Sequence, residues 1–181
     1  MNFEEKTLST NEIYKGLIIT LHVDEIELPD GRKAKREIVE HSGGVCVAAL
    51  TEENELFFVR QYRYPYKKVL LELPAGKLEK GEDPLEAGVR ELEEECGVVA
   101  EKVISMGTVY PTVAYCSEII YLFAAKGLSR TKQHLDEGEF LDVEKIKVEK
   151  AVEMVMSGEI SDSKTVALVL KINNLLKENK F

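Results

Sequence analysis

Apolar and polar residues alternate through much of this chain, and three- and four-residue spacing takes over in the middle and at the end. Leu17–Leu28 is rich in β-branched residues, Pro29-Asp30-Gly31 carries turn chemistry, and Ala34–Glu40 returns as a second strand. Further strands are predicted at Val45–Leu50, Glu55–Gln61 and Lys68–Leu73, then at Val103–Tyr110, Ile119–Ala125 and Phe140–Val143. Helical spacing predicts one helix ending near residue 97, a second over Val148–Met156 and a third over Ser161–Leu176. Strands first, one helix in the middle and two at the end imply an α+β fold layered around a mixed sheet. Residues 1–42 read as an N-terminal antiparallel β extension and 43–181 as the main domain. No repeat or long linker divides the chain further.

The middle helix has its ends written into the sequence. Asp83 fits the N-cap, Pro84 the first helical position, Glu86 the third position after the cap, and Gly97 the C′ position. Leu85, Val89, Leu92 and Cys96 share one face, which predicts a packing stripe. Glu91, Glu94 and Glu95 fall within a different sector roughly 100° wide. Bare like charges at these spacings repel. Such a run is either a solvated acidic face or the holder of a hard divalent cation, which takes oxygen ligands from carboxylates and substrate phosphates.

Composition narrows the function classes. At 181 residues the chain suits one domain with a sizeable core, and no run of eighteen apolar residues or basic-apolar leader marks it for a membrane or export. Cys46, Cys96 and Cys116 lack metal or redox spacing and read as reduced structural thiols of a cytoplasmic protein. His22, His41 and His134 are scattered. A net charge of −9 argues against a nucleic-acid binder but not against a phosphate-bearing small substrate, because a bound cation reverses the local field.

The full pattern separates the two readings of the acidic helix. Gly76-Lys77-Leu78-Glu79-Lys80-Gly81-Glu82, then Arg90-Glu91-Leu92-Glu93-Glu94-Glu95-Cys96-Gly97-Val98, resembles the box of the Nudix hydrolases. Lys35–His41, Val59–Arg63, Leu71–Gly76 and Leu135–Phe140 are similar to the ADP-ribose pyrophosphatase branch of that superfamily. The resemblance implies a Nudix α/β/α sandwich for 43–181, an N-terminal extension that pairs two copies, and hydrolysis of ADP-ribose to AMP and ribose 5-phosphate. It implies Mg²⁺, with Mn²⁺ as a substitute, held by Glu91, Glu95, the backbone carbonyl of Ala75 and Glu139, with Glu94 as a ligand or support.

Other roles follow from the same likeness. Arg90 orients a box carboxylate, and Gly76, Glu82 and Gly97 shape the box. Glu137 is the expected base and Glu139 the expected metal contact, an assignment that is open to exchange. Arg36 and Arg63 are expected to bind substrate, since arginine grips phosphate in a bidentate manner and stacks on bases; either could equally be an ordinary surface arginine. Glu72 is expected at an adenine edge. One segment departs from the branch: Thr112-Val113-Ala114-Tyr115 stands where a Ser-Pro-Gly-aromatic run is usual. That leaves other nucleoside diphosphate sugars, such as GDP-mannose, and dinucleotides open as substrates. A non-catalytic ligand-binding regulator is the third reading, and the intact carboxylate set speaks against it.

Overall fold

The computed structural model describes residues 2–180. In chain order the strands are β1 (Lys6–Lys15), β2 (Ile19–Glu27), β3 (Lys33–His41), β4 (Gly44–Ala49), β5 (Glu55–Arg63), β6 (Lys68–Glu72), β7 (Ala75–Lys77), β8 (Val98–Val109), β9 (Ile120–Arg130) and β10 (Leu141–Lys147). The helices are α1 (Pro84–Cys96), α2 (Val148–Ser157) and α3 (Ser163–Lys177), and a 3₁₀ turn covers Tyr64–Tyr66. Two compact units form. One comprises the chain up to Gly43 with Tyr110–Ile119; the other comprises Gly44–Val109 and the chain from Ile120 onward.

The first unit is an antiparallel β1-β2-β3 sheet. The Leu28–Arg32 turn closes as predicted, with Gly31 at φ +84°. Tyr110–Ile119 joins through Cys116, which bridges Val39 in parallel, and Val39 exchanges hydrogen bonds with Tyr115 and Ser117. Two expectations change here. β1 is an additional strand, and every one of its residues is exposed, so it has no alternation to reveal it. Leu17 is not a strand residue: it lies in the turn before β2 and is 99% exposed.

In the second unit the strand order is β7-β4-β9-β8, and β10-β5-β6 forms a separate antiparallel sheet. β4 and β9 run parallel, and all six residues of β4 are buried. Alternate residues explain why. Cys46, Ala48, Leu122 and Ala124 pack in a core with Ala151, Met154, Leu168 and Ile172 of α2 and α3. Val45, Val47, Phe123 and Ala125 pack in a second core with Ala87 and Leu92 of α1. A strand buried on both faces reads as a continuous apolar run, as Val45–Leu50 does. Helices thus cover both faces of one mixed sheet, which is the expected α+β sandwich.

The α1 boundaries match the sequence. The Asp83 carboxylate accepts from the backbone N–H groups of Leu85 and Glu86, and Gly97 adopts φ +60° at the C-terminus. Its packing stripe does not match. Leu85 and Val89 are 43% and 38% exposed, while Ala87, Gly88, Leu92 and Glu95 are buried. Small residues at 87 and 88 let the helix approach the sheet closely: a Cβ on Gly88 would stand 3.1 Å from the Phe123 ring. That contact turns the buried face toward Glu91 and Glu95. Beyond the helix, β8 starts at Val98, β9 runs on to Arg130 and β10 to Lys147, each longer than the alternation predicts.

Candidate active site

The box helix and the loop before it are built around one arginine. Arg90 donates from Nε and Nη2 to the two Glu82 oxygens at 2.9 and 3.2 Å. Its Nη1 donates to Glu91 at 2.9 Å and to Glu94 at 2.8 Å. One guanidinium thus ties the loop to the helix and draws together carboxylates that would otherwise repel. Glu82 also accepts the Glu79 N–H at 2.9 Å, closing the turn around Gly81. The Arg90 hydrogen bonds hold the Glu82 carboxyl below the usual carboxylate range, and Glu82 in turn raises the Arg90 pKa.

Glycine is required at 76 for a steric reason, because a Cβ there would run into the Glu91 carboxylate. Gly76 pairs with Val45 across β4 and β7, so the loop backbone and the helix carboxylate meet without a side chain between them. At Gly97 a Cβ would stand 2.8 Å from the Gln133 backbone nitrogen, so the same residue that ends α1 admits the loop after β9.

Glu95 is 1% exposed. One oxygen accepts the Ala75 N–H at 2.9 Å, and the other has no protein donor among the described residues. Burial pushes its pKa up to about 8; the Ala75 hydrogen bond works against this, and the charges of Glu91 and Glu139 add to it. Burial also raises the Glu91 pKa, against the pull of Arg90 and with Glu94 and Glu139 adding to the rise. Glu91, Glu95 and Glu139 therefore feel one another's charge.

Glu139 reaches this group from the loop after β9. A turn bonded from Glu139 N–H to Asp136 carbonyl, with Gly138 at φ +84°, carries it there. The Gln61 amide donates to it at 3.0 Å. Glu137, on the same turn, is exposed and makes no hydrogen bond or ion pair among the described residues.

Among the described residues no three carboxylates close into a ready cage for a metal ion. Their oxygens turn instead to Arg90, the Ala75 N–H and Gln61. The donor chemistry nonetheless suits a hard divalent cation. The set is all oxygen, it is partly desolvated, and burial, with neighbouring negative charge adding to it, holds the Glu91 and Glu95 carboxyls above their usual range.

Arg63 lies in the same electrostatic neighbourhood, since Glu95 contributes to its raised pKa after the dominant Glu72 hydrogen bond. It grips Glu72 with Nε at 2.7 Å and Nη2 at 2.8 Å, leaving Nη1 without an acceptor among the described residues. Glu72 is 1% exposed and also takes the Lys164 ammonium at 2.5 Å. Burial acts to raise its pKa, but Arg63 and Lys164 outweigh this and hold it at about 2. Both Glu72 oxygens are therefore committed to cations of the protein. The sequence assigns no role to Lys164, or to Gln61 and Gln133 beside the box. Gln133 donates to the Glu95 carbonyl at 2.6 Å. A lysine in the first turn of α3, where the helix dipole disfavours positive charge, was the available signal for Lys164.

Arg36 belongs to the other unit, on β3, where it pairs with Glu5 through two nitrogens and bonds the Lys35 carbonyl. A separate hollow of about 450 Å³ opens on the outer face of α1, lined by Leu85, Glu86, Val89, Arg90, Glu93 and His134. It shares only Arg90 with the carboxylate group, so it is not the cleft at the box.

Comparison with known proteins agrees with this geometry. The NUDIX domain model matches residues 23–169, and a nucleoside diphosphate sugar hydrolase N-terminal domain matches residues 5–39. A methanol dehydrogenase activator of Bacillus methanolicus is 45% identical over 97% of both chains. An ADP-ribose pyrophosphatase of Bacillus subtilis is 40% identical over 99% of both, and one of Mycobacterium tuberculosis is 31% identical over 93% of this chain and 83% of its own. A solved ADP compounds hydrolase superposes with TM-score 0.86 over the whole of both chains at 18% identity, a likeness of fold. With most of its length matched by the domain model and full-length relatives at this identity, the chain belongs to the Nudix hydrolase family.

Proposed function

We propose that this chain is a divalent-cation-dependent pyrophosphohydrolase that cleaves ADP-ribose to AMP and ribose 5-phosphate. The observation that carries the reading is the mutually repelling, partly buried group of Glu91, Glu95 and Glu139 beside the Ala75–Gly76 loop. Such a group loses stability alone and gains it when a cation joins. The two relatives named ADP-ribose pyrophosphatase support the substrate. Mg²⁺, or Mn²⁺ in its place, would be held by Glu91, Glu95, Glu139 and the Ala75 carbonyl, with Glu94 in support. It would supply charge neutralisation at the diphosphate and polarise the attacking water.

The chain's own residues do the rest. The free Nη1 of Arg63 binds a phosphate oxygen, and Glu72 holds that guanidinium rather than reading an adenine edge. Arg90 keeps Glu91 and Glu94 oriented. Glu137, unpaired on its glycine turn, takes the proton of the attacking water. A panel of nucleoside diphosphate sugars incubated with Mg²⁺ and analysed for products tests this. AMP formed from ADP-ribose at the highest kcat/KM is the expected result.

A second reading rests on Thr112-Val113-Ala114-Tyr115, which departs from the ADP-ribose branch. Under it another nucleotide sugar or a dinucleotide is preferred; a GDP-mannose pyrophosphatase of Yersinia enterocolitica is 29% identical over 78% of this chain and 80% of its own. The same panel separates the two.

We further infer a cytoplasmic homodimer in which Arg36 serves the partner's site. Exposed Ile13, Tyr14 and Ile18 on the N-terminal unit support an interface. Free Cys46, Cys96 and Cys116 fit a reducing compartment. Among the described residues no helix is long and apolar enough to cross a membrane. Mixed Arg36→Ala and Glu95→Gln subunits should regain activity in heterodimers; a monomer by light scattering would contradict the pairing.

A further inference from the structure

Lys164 is 9% exposed and lies in the first turn of α3, where positive charge opposes the helix dipole. Burying an ammonium there is costly, and an apolar residue of similar length would pack at less cost. Its position is nevertheless closely determined. Lys164 Nζ meets Glu72 at 2.5 Å and Asp162 at 3.0 Å. Asp162 in turn caps α3 through Thr165 N–H at 3.0 Å and takes the Thr165 hydroxyl at 2.6 Å. The Thr165 hydroxyl oxygen accepts the Leu73 N–H at 2.9 Å. The start of α3 thus grips two consecutive residues of the chain entering the box loop, three and two positions before Ala75.

Arg63 forks onto both oxygens of the same carboxylate, sharing Oε2 with Lys164, and is within electrostatic reach of Glu95. Arg63 and Glu72 alone would be a neutral pair with little attraction for an anion. Lys164 supplies the charge that offsets Glu72 and fixes the carboxylate in the plane that both Arg63 nitrogens require.

We propose that Lys164 is a positioning residue for substrate binding, acting through Glu72 to keep the Arg63 guanidinium oriented toward the diphosphate. This rests on the pyrophosphohydrolase reading above. Turnover of ADP-ribose by the unaltered protein is therefore measured first; its absence rejects that reading and the inference with it.

The test compares Lys164→Met, Lys164→Arg, Glu72→Gln and the Glu72→Gln/Lys164→Met double variant. Folding is checked by circular dichroism, kcat and KM are measured with Mg²⁺, and ADP-ribose binding is measured by calorimetry in metal-free buffer. Lys164→Met should raise KM and Kd about tenfold, as expected when the Arg63 fork loses its fixed orientation toward the diphosphate, while kcat changes by less than about threefold. Lys164→Arg should bind nearly as the unaltered protein does. In the Glu72→Gln background the Lys164→Met change should have no further effect on Kd, because the intermediary is already lost. A folded Lys164→Met variant with lowered Tm but unchanged KM and Kd would make the lysine merely structural and overturn the proposal. An equal loss of binding in the Glu72→Gln background would overturn it too, since Lys164 would then act directly. Should Lys164→Met not fold, Lys164→Gln, which keeps a donor for Glu72 but no charge, is read against Lys164→Arg in the same way.

Discussion

Two glutamates of this chain are equally buried and opposite in character. Glu72, at the end of β6, and Glu95, in the last turn of α1, are each 1% exposed. Glu72 accepts from Arg63 and Lys164, and its pKa is held at about 2. Glu95 accepts one backbone N–H, stands near two other carboxylates, and its pKa is raised to about 8. Burial acts the same way on both, so the difference lies wholly in the partners the protein supplies. Where the cations are built in, the carboxylate is part of the scaffold. Where they are left out, the proposed function puts a cation from solution, and with it the chemistry.

The comparison breaks most visibly on substitution of Glu95. Glu95→Gln keeps an acceptor for the Ala75 N–H but removes a proposed cation ligand, so kcat should fall by about a hundredfold or more while Tm is unchanged or higher. Steady-state kinetics and calorimetric melting of one preparation check both halves. The same exchange at Glu72 should do the reverse to stability. Glu72→Gln leaves Lys164 and Arg63 short of a counter-charge and should cost toward the lower end of about 3–5 kcal/mol, because Asp162 still faces Lys164 and Arg63 reaches solvent. Urea unfolding at neutral pH measures it.

A pH titration of stability sharpens the contrast without substitution. The Glu72 pKa is lowered on folding, so its contribution is full above the ordinary carboxylate value and is lost as pH falls from about 4.5 toward 2. The loss amounts to roughly 3 kcal/mol at most, and the acid transition of Glu72→Gln should lack that component. Smaller still is the effect of cation binding on the melt. Mg²⁺ at a hundred times its Kd should add about 2.7 kcal/mol, a shift of a few degrees, and Glu95→Gln should abolish most of it.

These two sites also differ in how far the sequence announced them. The box helix was legible to the residue because its signals are local: cap, proline, glycine and carboxylates lie within fifteen positions. The apolar run Val45–Leu50 likewise marked a strand, and its burial on both faces appears only in the structure. The Glu72 network was not legible, because Arg63, Glu72 and Lys164 are joined across up to 92 positions and each looks ordinary in its own segment. β1 escaped because all of its residues are solvent-exposed. The packing stripe of α1 was misread because Ala87 and Gly88 bury through smallness rather than hydrophobic bulk.

The most direct test of the cation-dependent site is hydrolysis of ADP-ribose in ¹⁸O-labelled water, with Mg²⁺ and with excess chelator, followed by mass analysis of products. AMP and ribose 5-phosphate should carry one label between them, with no turnover in chelator. Label in free inorganic phosphate, or turnover undiminished by chelator, would contradict the proposed function.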